Sequence, residues 1–284
     1  MIARLISLAK EKPETLFYLV AGFLVVSIGL VVAIDVFDAF GWRTAWLAGD
    51  EYRSFFWWHW FSEPVENPIQ WFLLALGMSA FALGAGAAYE REDSQGFRFA
   101  LFMSIGLALM FIEDAADPRH RIRMDLESYF GSGSYGVLGT AIELIYFALL
   151  GGLLLYAFFR FRQAFWPHDK ARRYLIRGFA FYGIAVSSSW LGSAFRSVTS
   201  GMADLYSVTG ELFVAILFFD GGKTEQLYWE LDAQTQEILG RPLSFYFMDR
   251  VWEESFELLG AAALVVAGFA YFRATTKAVR DEAE

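Results

Sequence analysis

The chain has 284 residues, 56% hydrophobic and 19% aromatic, with no cysteine, three histidines and a formal net charge of −9. A mean hydropathy of +0.38 exceeds that of soluble globular chains, which are about 45–50% apolar, so the solvent is a membrane. The missing cysteines exclude disulfides, thiolate nucleophiles, Fe–S clusters and cysteine zinc sites. Histidines at 59, 120 and 168 are too few and too dispersed for the His-rich ligand sets of membrane desaturases and oxidases, and a net acidic chain is a poor nucleic-acid ligand.

Crossing about 30 Å of hydrocarbon takes about 20 mostly apolar residues. Five segments meet or nearly meet that demand, at about 15–34, 69–89, 137–159, 174–195 and 251–272. A sixth, about 97–116, is continuously apolar from Phe99 to Ile112 and then reaches Glu113 and Asp114. The fold class is therefore all-α, a single polytopic membrane bundle of six transmembrane helices. The first span is longer than a signal-peptide core and has no small-residue cleavage site after Asp35, so it stays in the mature chain. Pro118 disfavours helix at Asp117, which ends the third span.

Two outward segments are long, 35–68 and 197–250, and rich in aromatic residues. The run from Tyr52 to Phe61 is the extreme case and reads as an interfacial helix, forming an aromatic outer cap or a surface for other membrane subunits. Leu212–Phe219 is apolar but too short to span and is followed by Gly221 and Gly222, so it reads as a strand or an interfacial segment. Thr224–Leu239 reads as a short helix outside the membrane. The ends near residues 1–14, 90–98, 160–177 and 273–284 hold 14 Lys/Arg and 9 acids, against 9 and 23 elsewhere. Lys and Arg in short loops stay cytoplasmic, which puts both termini on the cytoplasmic side of a bacterial-type inner membrane.

Ionisable groups at membrane depth cost about 2.5–3.5 kcal/mol on insertion scales and ask for a partner or a role. Glu113, Asp114 and Asp117 stand at the outer end of the third span, with His120 close by, and Glu143 lies about two turns inside the fourth. Ser187, Ser188 and Ser189 lead outward to Arg196 on the fifth, and Glu253, Glu254 and Glu257 open the sixth. All fall toward one side. Glu113 with Asp117, and Glu253 with Glu257, are spaced i,i+4 and project from one helical face. Glu113, Asp117, His120, Glu143, Glu253 and Glu257 thus make a candidate ligand set for a hard or borderline divalent cation, Ca²⁺, Mn²⁺, Fe²⁺ or Zn²⁺. The plainer reading is interfacial acids that offset helix dipoles or pair with Arg119, Arg121, Arg123, Arg196 and Arg250. His59 and His168 carry no ligand spacing.

Ala80, Gly84 and Ala88 form a small-residue stripe on the second span, a close packing face for another helix or another subunit. Gly131 to Gly136 matches a G-x-G-x-x-G string but precedes a membrane span rather than following a strand, which makes it a loop. Lysine is absent from the middle and outer parts of the spans, excluding a retinal Schiff base.

The run Phe111 to Asp117 with His120, and the later Trp252 to Gly260 with its Glu-Glu-x-x-x-Glu, resembles uncharacterised bacterial polytopic membrane proteins. In those an acidic pair precedes a His-Glu dipeptide, whereas His120 is followed by Arg121. The resemblance covers about a tenth of the chain and implies that the two acidic patches belong to one site. Three readings of function stand side by side. One is a cation-binding accessory or structural component of a membrane assembly, surrounded by membrane lipids. The others are a metal-dependent membrane enzyme acting on a lipid-like substrate and a proton- or cation-coupled transporter.

Overall fold

The computed structural model describes residues 12–37, 39–42, 66–116, 118–130, 135–198, 208–212, 232–233, 235–237 and 242–283. The described residues are helical with short turns and contain no strand. The helices among the described residues include α1 (Glu14–Val31), α2 (Glu66–Glu90), α3 (Ser94–Ala116), α4 (Pro118–Phe130), α5 (Tyr135–Arg160), the short α6 (Arg162–Phe165), α7 (Asp169–Val198), the short α8 (Leu243–Tyr246) and α9 (Glu254–Ala283). A π-helical turn at Val32–Val36 extends α1, and another at Phe247–Glu253 joins α8 to α9.

Among the described residues, four helical stretches are long and apolar enough to cross a membrane: Glu14–Ile34, Asn67–Glu90, Ser94–Ala116 and Leu243–Ala278. The last runs well beyond the expected 251–272 at both ends. Leu144–Arg160 of α5 is a shorter apolar stretch. In α7 the apolar run is diluted by basic residues at its start and by Ser187, Ser188 and Ser189. Ser188 Oγ donates to the Ile184 carbonyl at 2.7 Å, which lets a hydroxyl sit in the helix with its hydrogen bond made.

The third span ends where the sequence places its end, and Pro118 opens α4. Proline suits the first helical position, where no amide hydrogen is needed. The sequence reading leaves residues 118–130 as a connection, yet they form a helix of 13 residues, because charged residues such as Arg121 and Asp125 stand at helix-compatible i,i+4 spacing. Residues 208–212 are helical, so Leu212 does not open a strand, and residues 232–233 and 235–237 are helical within the expected 224–239 element. The aromatic run 52–61 and residues 213–231 lie outside the described residues.

The chain divides into two compact units. One comprises Met1–Ala21, Ile69–Gly183 and Glu257–Glu284, the other Gly22–Pro68 and Ile184–Phe256. In the first, α9 is the central helix: Leu258 and every residue from Gly260 to Tyr271 are buried. A helix apolar on all sides is stable only when neighbours surround it, and small residues let them come close. Tyr182 of α7 lies over Gly260, Leu264 over Gly178 of α7, Ala80 and Phe81 of α2 over Gly268, and Tyr271 over Gly84 of α2. Ala80, Gly84 and Ala88 are all buried, and Ala80 and Gly84 of the stripe expected as a packing face lie against the chain's own last helix. Gly151 and Gly152 of α5 face open space instead.

The pairings also fix direction. Residues of α2 and α9 pair at a constant separation of 187 or 188 (Gln70 with Glu257, Gly77 with Val265, Gly84 with Tyr271), so these helices run parallel. Residues of α2 and α3 pair in opposite order (Gly77 with Leu107, Gly84 with Ala100), so those two are antiparallel. The α2–α3 turn is a Schellman closure, in which Asp93 N–H donates to Ala88 O and Glu92 N–H to Tyr89 O, each at 3.0 Å. Glu92 carries the positive φ (58°) that this closure usually assigns to glycine. Asp93 then caps α3 by accepting from Gly96 N–H at 2.9 Å.

Phe99, Phe158 and Phe165 fill the end of this unit where α5 turns into α7, with ring centroids 4.9 Å apart for Phe99–Phe165 and 5.2 Å for Phe158–Phe165. Glu14 of α1 pairs with Lys170 of α7 at 2.9 Å. Phe17 sits against Tyr174, which makes the first turns of α1 parallel to α7.

Candidate functional site

Two carboxylates of the sequence-derived set have described partners in the first unit. Gln70 Nε2 of α2 donates to Glu257 Oε2 of α9 at 2.7 Å. Tyr146 Oη of α5 donates to Glu113 of α3. Both donors are neutral, so each bond satisfies an acceptor without cancelling the carboxylate's charge, and such charge-assisted bonds contribute about 1.5–3 kcal/mol.

Helix registers put these pairs in one layer. The α2–α3 pairs have residue numbers adding to about 183, which sets Gln70 opposite Glu113. The parallel α2–α9 register sets Glu257 beside Gln70. In the α3–α5 pairing, Gly106 meets Leu154 and Glu113 meets Tyr146, so the backbone of residue 143 falls opposite about residue 116. Glu113 and Glu257, 144 positions apart in the chain, therefore lie at the same depth of the bundle.

Gln70 is 2% exposed, and its Oε1 has no hydrogen-bond partner among the described residues, nor has the buried Nε1 of Trp71. A buried polar atom left unpaired costs about 1–3 kcal/mol, so this corner of the layer is polar at some expense in stability.

The other members of the set fare differently. Asp117 and the side chains of His120 and Glu143 lie outside the described residues. Glu253 is the last residue of the π-helical turn, ahead of the first residue of α9, so its alignment with Glu257 is not that of one regular α-helix. Among the described residues no three His, Asp or Glu side chains stand close enough to hold a metal ion. The compact acidic cluster read from i,i+4 spacing is not shown among the described residues, where Glu113 and Glu257 each accept a hydrogen bond from a neutral donor. Spacing along one helix gives the face of a side chain but not the partner that a neighbouring helix brings to it.

Gln70 and Tyr146 escape a search for ionisable groups in spans, since neither is charged at neutral pH. The signal that finds them is any hydrogen-bonding side chain within an apolar run. At the opposite end of the unit, the His168 ring lies edge-on to that of Tyr271, with centroids 5.8 Å apart. Burial holds the His168 imidazole below its ordinary pKa of 6.5, the Arg91 guanidinium adds to the shift and the Asp93 carboxylate opposes it. The sequence gives His168 no role; the fold makes it part of the packing at the α6–α7 turn.

Comparison of the chain with protein-family models, with curated proteins and with solved structures gives no match.

Proposed function

We propose that this is a six-span integral protein of a bacterial-type inner membrane, with both termini cytoplasmic. Its outward carboxylate layer binds a divalent cation, and it serves as a non-catalytic component of a membrane assembly. The reading rests on one observation, the shared depth of Glu113 and Glu257. Gln70 and Tyr146 donate to them, and carboxylate oxygens brought to one depth are the ligand type that a hard divalent cation takes.

The remaining spans of the reading are α5 and α7, whose 26 and 30 residues make them about 39 and 45 Å long at a 1.5 Å rise per residue. The opposite end of the bundle carries Arg160, Arg162, Lys170, Arg172, Arg173 and Arg177, which supports the cytoplasmic assignment. Two carboxylates are too few for a divalent site, so Asp117, His120 or Glu143 would complete the ligand set. Their oxygen and imidazole chemistry suits Ca²⁺, Mn²⁺, Fe²⁺ or Zn²⁺.

The test is elemental analysis and thermal unfolding of the purified protein. A stabilising ion adds about 2.7 kcal/mol at 100 times its dissociation constant, and the combined Glu113→Gln and Glu257→Gln changes should remove that gain while the helical signal is kept. An unchanged melting temperature with chelator and with excess of each ion overturns the cation reading.

A further inference from the structure

The turn between α5 and α7 is dense in basic side chains. Lys170 is paired with Glu14, and Arg172 is held by Asp169 at 2.7 Å and by the Trp166 carbonyl at 3.0 Å. Arg160, Arg162, Arg173 and Arg177 are exposed, and no carboxylate among the described residues pairs with them. Two of them lie over aromatic rings, Arg160 over Phe161 at 5.5 Å and Arg177 over Tyr174 at 4.9 Å, which steadies the guanidinium and leaves its N–H groups available. Four unpaired guanidiniums on one short hairpin repel one another and favour an anion with several acceptor oxygens.

The surface next to them says which anion. Tyr156, one turn before Arg160, is 50% exposed, Phe159 next to Arg160 is 68% exposed, and Ile176 beside Arg177 is exposed as well. Trp166, at the tip of the turn, is 47% exposed, and an indole with one apolar and one polar edge sits best at the headgroup level. Guanidiniums above an exposed apolar belt match a ligand with a phosphate at one end and hydrocarbon at the other. Free phosphate would satisfy only the first half.

We infer that the α5–α7 hairpin is a binding site for anionic phospholipid. The lipid phosphate is held by Arg160, Arg162, Arg173 and Arg177, and the acyl chains lie on the belt that includes Phe159 and Ile176. Basic pockets between transmembrane helices on the cytoplasmic side bind such headgroups by the same chemistry. The inference needs these helices to lie in a membrane and is independent of any cation in the carboxylate layer.

The full-length protein, purified in a neutral detergent, is titrated with phosphatidylglycerol, with phosphatidylcholine of the same chains and with inorganic phosphate, reading the melting temperature. Phosphatidylglycerol is expected to raise it saturably at concentrations where the other two leave it unchanged. Changing all four arginines to glutamine should weaken that response at least about tenfold, because glutamine carries no charge to hold the phosphate. Changing all four to lysine should retain most of it. If the four-glutamine protein fails to fold, R160Q/R162Q and R173Q/R177Q are tested separately, each expected to weaken the response. Equal effects of the two lipids, an equal effect of inorganic phosphate, or glutamine variants that respond like the unmutated chain would each overturn the inference. Because no divalent ion is added, failure here leaves the cation reading untouched.

Discussion

Gln70 and Glu257, 187 residues apart in the chain, are joined by a 2.7 Å hydrogen bond from the Gln70 amide to the Glu257 carboxylate. That bond ties the first turns of α2 to the first turns of α9 and sets the register followed by Gly77, Ala80 and Gly84 down the same interface. Replacing Gln70 by leucine removes the donor and leaves the half-buried carboxylate short of one bond, at an expected cost of about 1.5–3 kcal/mol. Pairing it with Glu257→Leu should recover much of the loss, because then neither polar group remains. Chemical unfolding of the two single variants and the double variant measures the coupling; additive costs would mean that the bond contributes nothing.

Glycines of the central interface should not tolerate a side chain. A Cβ on Gly260 would stand 2.5 Å from Tyr182 Cδ2, and one on Gly178 would stand 2.6 Å from Leu264 Cδ2 and 3.3 Å from the Gly260 carbonyl oxygen. Gly260→Val and Gly178→Val are expected to destabilise the fold by about 1–3 kcal/mol or more through overpacking. Gly151→Ala, where nothing lies within 4 Å, should be neutral or stabilising by up to about 1 kcal/mol from helix propensity. Melting temperatures that fail to separate these two groups would contradict the packing around α9.

The α2–α3 closure holds a strained residue. Glu92 takes φ 58° in a position where a side chain costs about 1–2 kcal/mol. Glu92→Gly should therefore stabilise the hairpin by about 1 kcal/mol, the relief being larger than the extra entropy glycine loses on folding. A melting temperature below that of the unmutated protein would mean that the Glu92 side chain makes a contact worth more than its strain.

How far the sequence could be read follows from these particulars. Apolar runs of about 20 residues locate α1, α2, α3 and the last helix, because the demand for apolar length is met locally. The end of α3 was legible in Pro118, and the Ala80, Gly84, Ala88 stripe in its spacing. Helix α4 was not, since a polar helix without an apolar stripe carries little periodic signal. The Gln70–Glu257 and Tyr146–Glu113 pairs were hidden for a different reason: the registers of α2 on α9 and α3 on α5 depend on how whole helix faces interlock. Composition along either helix alone does not contain that information. Depth could be read for Glu113 and Glu257 one at a time; their common layer needed the neighbours.

His168 supplies a pH-dependent prediction. Its pKa in the folded protein lies below the ordinary 6.5, first because burial disfavours the charged ring and then because of the Arg91 guanidinium. The unfolded chain then binds a proton more readily than the folded one between these two values. The contribution of His168 to stability is therefore fully present above about pH 6.5 and is lost as pH falls from there toward the lowered folded-state value. Replacing it by glutamine keeps a polar side chain of similar reach but cannot titrate. The melting temperature of the unmutated protein should fall more steeply than that of His168→Gln between about pH 7 and pH 5, with the two curves parallel above that range. Parallel curves throughout would mean that His168 titrates alike in the folded and unfolded chains, and a steeper fall in the variant would reverse the sign assigned to its burial against Tyr271.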